Sequence, residues 1–167
     1  MSEILRKCRR VVQYFHKSTT AFTQLKRKQE NLLPPEFKEL KLIQDVSTRW
    51  NSTFDMLQRL INLMPAVNAF VLDSSIKSSI KDIDSKFLFS VEEQETIKQV
   101  ISLLKPFKEA TENLSAENYP TLPALYPTLI KLKNGLTAKP DDSDCIKEMK
   151  SDAMSSLENA TQIFMTS

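Results

Sequence analysis

Apolar residues recur along this chain at the three- and four-residue intervals of an α-helix, and polar or proline-rich breaks divide them into successive amphipathic segments. Ile4, Cys8, Val11 and Phe15 share one face of a segment running from about residue 3 to 17, with Arg6, Arg10, Gln13 and Lys17 on another face. Ser18 or Thr19 offers a hydroxyl to the free amides at the start of a second helix, lined on one side by Phe22, Leu25 and Leu32. That helix should stop at LLPPEF, because two prolines remove backbone donors and push the preceding residue toward extended geometry. Residues 33–46 form a connector. Its LKLIQDV stretch alternates like a short strand, yet nothing in the sequence offers it a partner, and we read it as coil.

A third helix is predicted behind a cap at Ser47 or Thr48, where Trp50, Phe54, Leu57, Ile61 and Met64 recur in one stripe. Pro65 should begin or kink a further helical piece, Ala66 to Leu72. Residues 73–89 are polar and serine-rich and read as a flexible loop. Ser90 and Glu93 stand in capping-box register ahead of Ile97, Val100, Ile101 and Leu104, and Pro106 should bend this helix before Phe107, Ala110 and Leu114 resume its apolar face. Leu122, Leu125, Leu129, Leu132 and Leu136 predict another helix, ending where Gly135 suits a left-handed cap. An acidic linker, 137–144, leads to a last amphipathic helix carrying Ile146, Met149, Ala153, Leu157, Ala160 and Phe164. The fold class expected is all-α: a bundle of about six helices forming a single domain over residues 1–167.

Composition sharpens this reading. At a typical share of about 7% the chain would hold roughly a dozen glycines, and it holds one, which argues against tight hairpins and phosphate-cradling loops. Two distant cysteines, Cys8 and Cys145, fit reduced thiols in an intracellular compartment better than a disulfide frame. No apolar run approaches the roughly 18 residues of a membrane span, so no membrane association is expected. The net charge of +2 conceals an asymmetry: residues 6–28 carry Arg6, Lys7, Arg9, Arg10, Lys17, Lys26, Arg27 and Lys28 without an acid, leaving −6 for the remainder. Such a run suits a polyanion partner, or else a solvated helix face whose cations pair with acids elsewhere.

Catalytic signatures are missing. The sequence has no P-loop, dinucleotide turn, HExxH, GxSxG or CxxC. His16, the sole histidine, reads as a surface or capping residue, and the acids Asp141, Asp142 and Asp144 as a helix-start cluster favoured by the helix dipole rather than a metal site.

Two stretches carry a specific resemblance: CRRVVQYFHKSTTAFTQLKRKQ from residue 8, and LKLIQDVSTRWNSTFDMLQRL ending at residue 60. They resemble the hAT superfamily of DNA transposases and the zinc finger BED-type proteins derived from them. The hallmark string of that family is matched by Asp45, Val46, Thr48, Arg49, Trp50, Asn51, Ser52, Thr53, Phe54, Met56, Leu57, Arg59 and Leu60. LLKPFKEATENLSAENYPTLPALYPTLIKLKNGL is similar to the family's later helical block, so the resemblance covers about residues 4–136.

The resemblance implies part of an RNase H-like transposase domain, namely the start of its large helical insertion. The family's Asp, Asp, Glu metal triad, its zinc-finger DNA-binding module and its dimerisation tail have no counterpart here. A two-metal strand transfer needs those carboxylates, so the expectation is a fragment that is not an enzyme alone and has no cofactor of its own, the divalent metal belonging to full-length active relatives. DNA is the implied partner and the nucleus the implied location, with protein partners or homo-oligomers formed through the missing C-terminal region. In relatives the tryptophan stacks on a base flipped out of DNA. Arg49, Trp50 and Asn51, together with Arg6, Arg9, Arg10, Lys17, Lys26, Arg27 and Lys28, are therefore the DNA-binding candidates. Periodicity instead places Trp50 on a packing stripe, and both roles hold if the ring sits at that stripe's exposed end. The rival function is a domesticated helical protein-interaction module in a nuclear regulator.

Overall fold

A computed structural model describes residues 2–46, 49–79, 87–116 and 122–165. Among these residues the regular structure is helical, with no strand: α1 (Ser2–Lys17), α2 (Thr19–Leu32), a single 3-10 turn (Pro35–Phe37), α3 (Trp50–Leu72), α4 (Ser74–Ser79), α5 (Val91–Ala116), α6 (Leu122–Gly135) and α7 (Asp144–Met165). The all-α expectation holds, with seven helices rather than about six. Expected as a single domain over 1–167, the chain divides into two compact units, residues 1–98 and 99–167, with α5 running across the division.

In the first unit α1, α2 and α3 pack on one another and α4 packs on α3. The α1 register is the predicted one: Cys8, Val11 and Phe15 are buried together with Val12, while Arg6, Arg10, Gln13 and Lys17 face solvent. Ser18 caps α2, its hydroxyl accepting from the Ala21 N–H at 3.1 Å. The buried ridge of α2 differs from the predicted one. It is Ala21, Leu25 and Gln29, spaced four apart, while Phe22 is half-buried and Leu32 is 51% exposed, with Leu33 taking the inward place. Gln29 belongs there because its side chain donates to the Leu40 carbonyl at 3.0 Å.

That bond is one of three that hold the connector. Lacking a neighbouring strand, its backbone must find partners elsewhere, since a buried carbonyl without one is costly. Leu40 O accepts from Gln29 of α2, Lys41 O from Arg59 Nη1 of α3 at 3.1 Å, and Leu42 O faces His16 Nε2 of α1 at 2.8 Å. Three helices thus grip three consecutive carbonyls. The turn into this segment sets Glu39 at φ 62°, a left-handed conformation unusual for a residue with a side chain.

Around this strap lies the apolar centre. Phe54, Met56, Leu57, Leu60, Leu63, Met64, Val67 and Phe70 of α3 are buried, and Phe70 meets Phe15 at 4.9 Å between ring centroids, edge to face. Tyr14 and Phe87 extend the cluster, their rings 5.2 Å apart. Cys8 sits in this interior, and burial pushes its thiol up to about 12. Pro65 does not break α3. It lies on the exposed side, and the helix continues to Leu72. The stretch read as a loop, 73–89, begins instead with α4, set by Asp73, whose carboxylate accepts from the Ser75 N–H at 2.9 Å and pairs with Lys28 at 2.5 Å. Residues 80–86 of that stretch lie outside the described residues.

The start of α5 is fastened by a lysine. Ser90 and Glu93 close the predicted capping box, Glu93 N–H to Ser90 Oγ at 3.1 Å and Ser90 N–H to Glu93 Oε2 at 2.9 Å. Lys7 Nζ of α1 then lies 2.7 Å from Glu93 Oε2 and 2.8 Å from Leu88 O, above the Phe89 ring. Burial pushes the Glu93 carboxyl up, but the Lys7 ammonium and the Ser90 backbone N–H outweigh it and hold it below the usual range.

The second unit buries Val100, Ile101, Leu103 and Ala110 of α5, Leu132 and Leu136 at the end of α6, and Ile146 of α7. Leu104, Phe107, Leu114, Leu129, Met149, Ala153 and Leu157 are half-buried and Ala160 is exposed; the side chains of Leu122, Leu125 and Phe164 lie outside the described residues. α5 runs through Pro106 as one helix. Gly135 is not the left-handed cap that the sequence suggested: no glycine has positive φ, and Gly135 is the last residue of α6. Space explains it, because a Cβ there would lie 2.9 Å from Pro106 Cγ. The linker 137–144 is closed by Asp142, which accepts from the Lys139 N–H at 2.6 Å and from the buried Lys150 at 2.5 Å, while Lys150 also reaches Thr137 O. The acidic cluster thus contains a loop clamp, with the Lys139 amide and then Lys150 holding the Asp142 carboxyl below its usual range.

Two outcomes test these contacts. Glu93→Gln keeps an acceptor for the Ser90 amide and removes the charge facing Lys7. Because the folded-state value of Glu93 lies below its ordinary 4.5, its contribution is complete above that pH and lost as pH falls through the folded value. Melts should show a deficit of about 1–2 kcal/mol at pH 7 that closes in acid; a pH-independent deficit would assign it to the cap. Gly135→Ala should destabilise by about 1 kcal/mol despite alanine's better helix propensity, and should become stabilising in a Pro106→Ala background, as a double-mutant cycle in urea would read.

Candidate nucleic-acid interface

The turn that precedes α3 is built around two short side chains. Ser52 Oγ accepts from the Val46 N–H at 2.8 Å and reaches Arg49 O at 2.6 Å, while Arg49 N–H donates to Val46 O at 2.8 Å, so that Val46, Arg49 and Ser52 are tied together. Beside them Asp45 anchors the turn to the bundle. Arg9 Nε and Nη2 of α1 reach its Oδ2 at 2.9 and 2.7 Å, and Thr53 Oγ1 of α3 donates to the same oxygen at 3.1 Å. The Asp45 side chain is only 5% exposed, and hydrogen bonding to it raises the already high Arg9 value.

This mount presents Arg49 and Trp50. Ser47 and Thr48, read as possible caps, lie outside the described residues; Arg49 occupies the N-cap position without a side-chain capping bond. Trp50 is the first residue of α3 and is 41% exposed, whereas Phe54, Leu57 and Met64 further along its stripe are buried and Ile61 is half-buried. The ring therefore sits at the open end of the stripe, as the dual reading required. Asn51 is half-buried with Oδ1 enclosed and unbonded. Asp45, Ser52 and Thr53 belong to the motif that resembles the family; they are polar residues beside an apolar stripe, and they fix the turn.

The basic candidates separate into two groups. Arg9 pairs with Asp45, Lys26 with Glu39 at 2.8 Å, Lys28 with Asp73, and Arg6 with Glu3 at 3.4 Å on the open surface. Lys7 is taken by Glu93. Arg10, Lys17 and Arg27 are exposed and have no acidic partner among the described residues. The acids from elsewhere thus neutralise most of the run, and pair contacts bind Arg9, Lys26 and Lys28 into the fold. His16, read as a surface or capping residue, is exposed and braces the connector.

Among the described residues no group of three His, Cys, Asp or Glu side chains converges as a metal site would require, and no helix is long and apolar enough to cross a membrane.

A family model described as the ZBED1 RNase-like helical domain matches residues 1–103. Over 117 residues the chain is 28% identical to zinc finger BED domain-containing protein 4 of Homo sapiens, covering 70% of this chain and 9% of that protein. Over 124 residues it is 32% identical to "Putative transcriptional regulator tpeD" of Talaromyces stipitatus, covering 73% and 13%. The chain therefore spans about a tenth of the length of these relatives. No solved structure matches it. The motif at 45–60, the helical fold and the family match agree: the chain belongs to the ZBED1 RNase-like helical domain family, a transposase-derived helical domain of zinc finger BED-type proteins.

Proposed function

We propose that this chain is a DNA-associating helical domain in which Trp50 stacks on an unpaired base and Arg49 meets the adjoining phosphate, with no catalysis of its own. The observation that carries this reading is the exposed Trp50 ring on a turn fixed by Ser52 and Asp45. A tryptophan needed only for packing has no reason to lie at the open end of a buried stripe. An indole face replaces lost base stacking at about 1–3 kcal/mol per base. Arg10, Lys17 and Arg27, exposed and without an acidic partner among the described residues, add sequence-independent attraction to phosphate. The reading without catalysis is supported by the family resemblance, which implies that the metal-binding acids lie outside the matched stretch, with any divalent metal belonging to a longer relative. A nuclear location accords with the zinc finger and regulator names of the relatives.

One observation favours a second reading, a protein-interaction module: Tyr126 and Ile130, one turn apart on α6, are 63% and 43% exposed.

Gel shifts across a salt series separate the two. Trp50→Ala should weaken binding to DNA carrying an unpaired base by about fivefold or more. Replacing Arg10, Lys17 and Arg27 with Gln should lower the slope of log affinity against log salt by about three. Indifference to DNA, or to both changes, would leave the interaction module.

A further inference from the structure

A cleft of about 240 Å³ opens where the end of α1, the start of α2 and the connector meet, lined by Phe15, His16, Thr19, Phe22, Lys41 and Leu42. Phe15 and Leu42 form a buried apolar floor, and Phe22 is half-buried, leaving part of its ring available. The Lys41 ammonium hovers 5.5 Å from the Phe22 ring centre. The lining includes a lysine and a histidine and no carboxylate. The next residue along α1 is Lys17, one of the cations without an acidic partner. His16 is fixed against Leu42 O, so the cleft is walled by an element already gripped in place.

Three features together restrict the occupant. Its volume is below that of pockets for drug-sized ligands and has room for one ring system. An aromatic and aliphatic lining suits a flat apolar face. The Lys41 ammonium in the lining suits a phosphodiester attached to that face, and a base is available for such a site only when it is unstacked, as in single-stranded nucleic acid. We propose that this cleft receives one base of a single-stranded nucleic acid, stacked against Phe22, with the adjoining phosphate met by Lys41. The inference rests on the nucleic-acid reading of the chain, but not on Trp50, and it adds a second base-binding position to the first unit.

The test is fluorescence anisotropy of the full chain with a labelled ten-nucleotide oligothymidine and with an abasic oligomer of equal length and charge. The oligothymidine should bind about fivefold more tightly or better. Phe22→Leu should shrink that preference while leaving abasic binding unchanged, with circular dichroism confirming the fold. Lys41→Gln, a surface change, should weaken both oligomers. Trp50→Ala should keep the Phe22-dependent part. If the preference survives Phe22→Leu and disappears with Trp50→Ala, the cleft is overturned and the Trp50 reading stands. If a Phe22-dependent preference persists while Trp50→Ala is without effect on any DNA, the reverse holds. Equal binding of the two oligomers, or equal competition by a polyglutamate peptide, overturns the cleft as a base site.

Discussion

The first unit is organised by an extended connector that has no strand beside it. A partly buried backbone segment needs partners for its carbonyls, and in the absence of a neighbouring strand side chains from the helices supply them. Gln29, Arg59 and His16 each contribute one such bond from a different helix. The same segment then ends in Asp45, whose carboxylate is shared by Arg9 and Thr53. Holding the connector therefore also holds α1, α2 and α3 in mutual register. The turn bearing Trp50 follows this segment, the cleft beside Phe22 is lined by its Lys41 and Leu42, and both inherit that order.

Much of the fold is legible in the sequence because helices announce themselves by period and by their ends. The capping box at Ser90 and Glu93 and the Ser18 cap are local features, readable from a few adjacent residues, and both form. The register of α1 is equally plain. What misleads is whatever depends on distant contacts. Pro65 reads as the start or kink of a further helical piece and Pro106 as a bend, and α3 and α5 run continuously through them. Gly135 looks like a conformational requirement and is a steric one, set by a proline on another helix. Gln29 falls on the same side of α2 as Leu25, and its polar side chain is accounted for only by the connector carbonyl it bonds.

The candidate interface shows the same division. The motif around Trp50 is conspicuous in sequence, and Trp50 lies at the exposed end of its stripe. The basic run was less informative. A count along the chain gives eight cations without an acid, whereas the fold brings in Glu93, Asp45, Glu39 and Asp73 from far along the sequence. Charges that look like an invitation to a polyanion are in large part internal fastenings, and the field available to a partner is that of the few left over.

Cys8, enclosed in the first unit with its thiol pushed far from ionisation, is a poor nucleophile at neutral pH. Cys145, at the start of α7, is partly open to solvent. Thiol-directed reagents therefore have a single practical address on the folded chain, so a maleimide dye or spin label would report from the second unit while leaving the first chemically untouched.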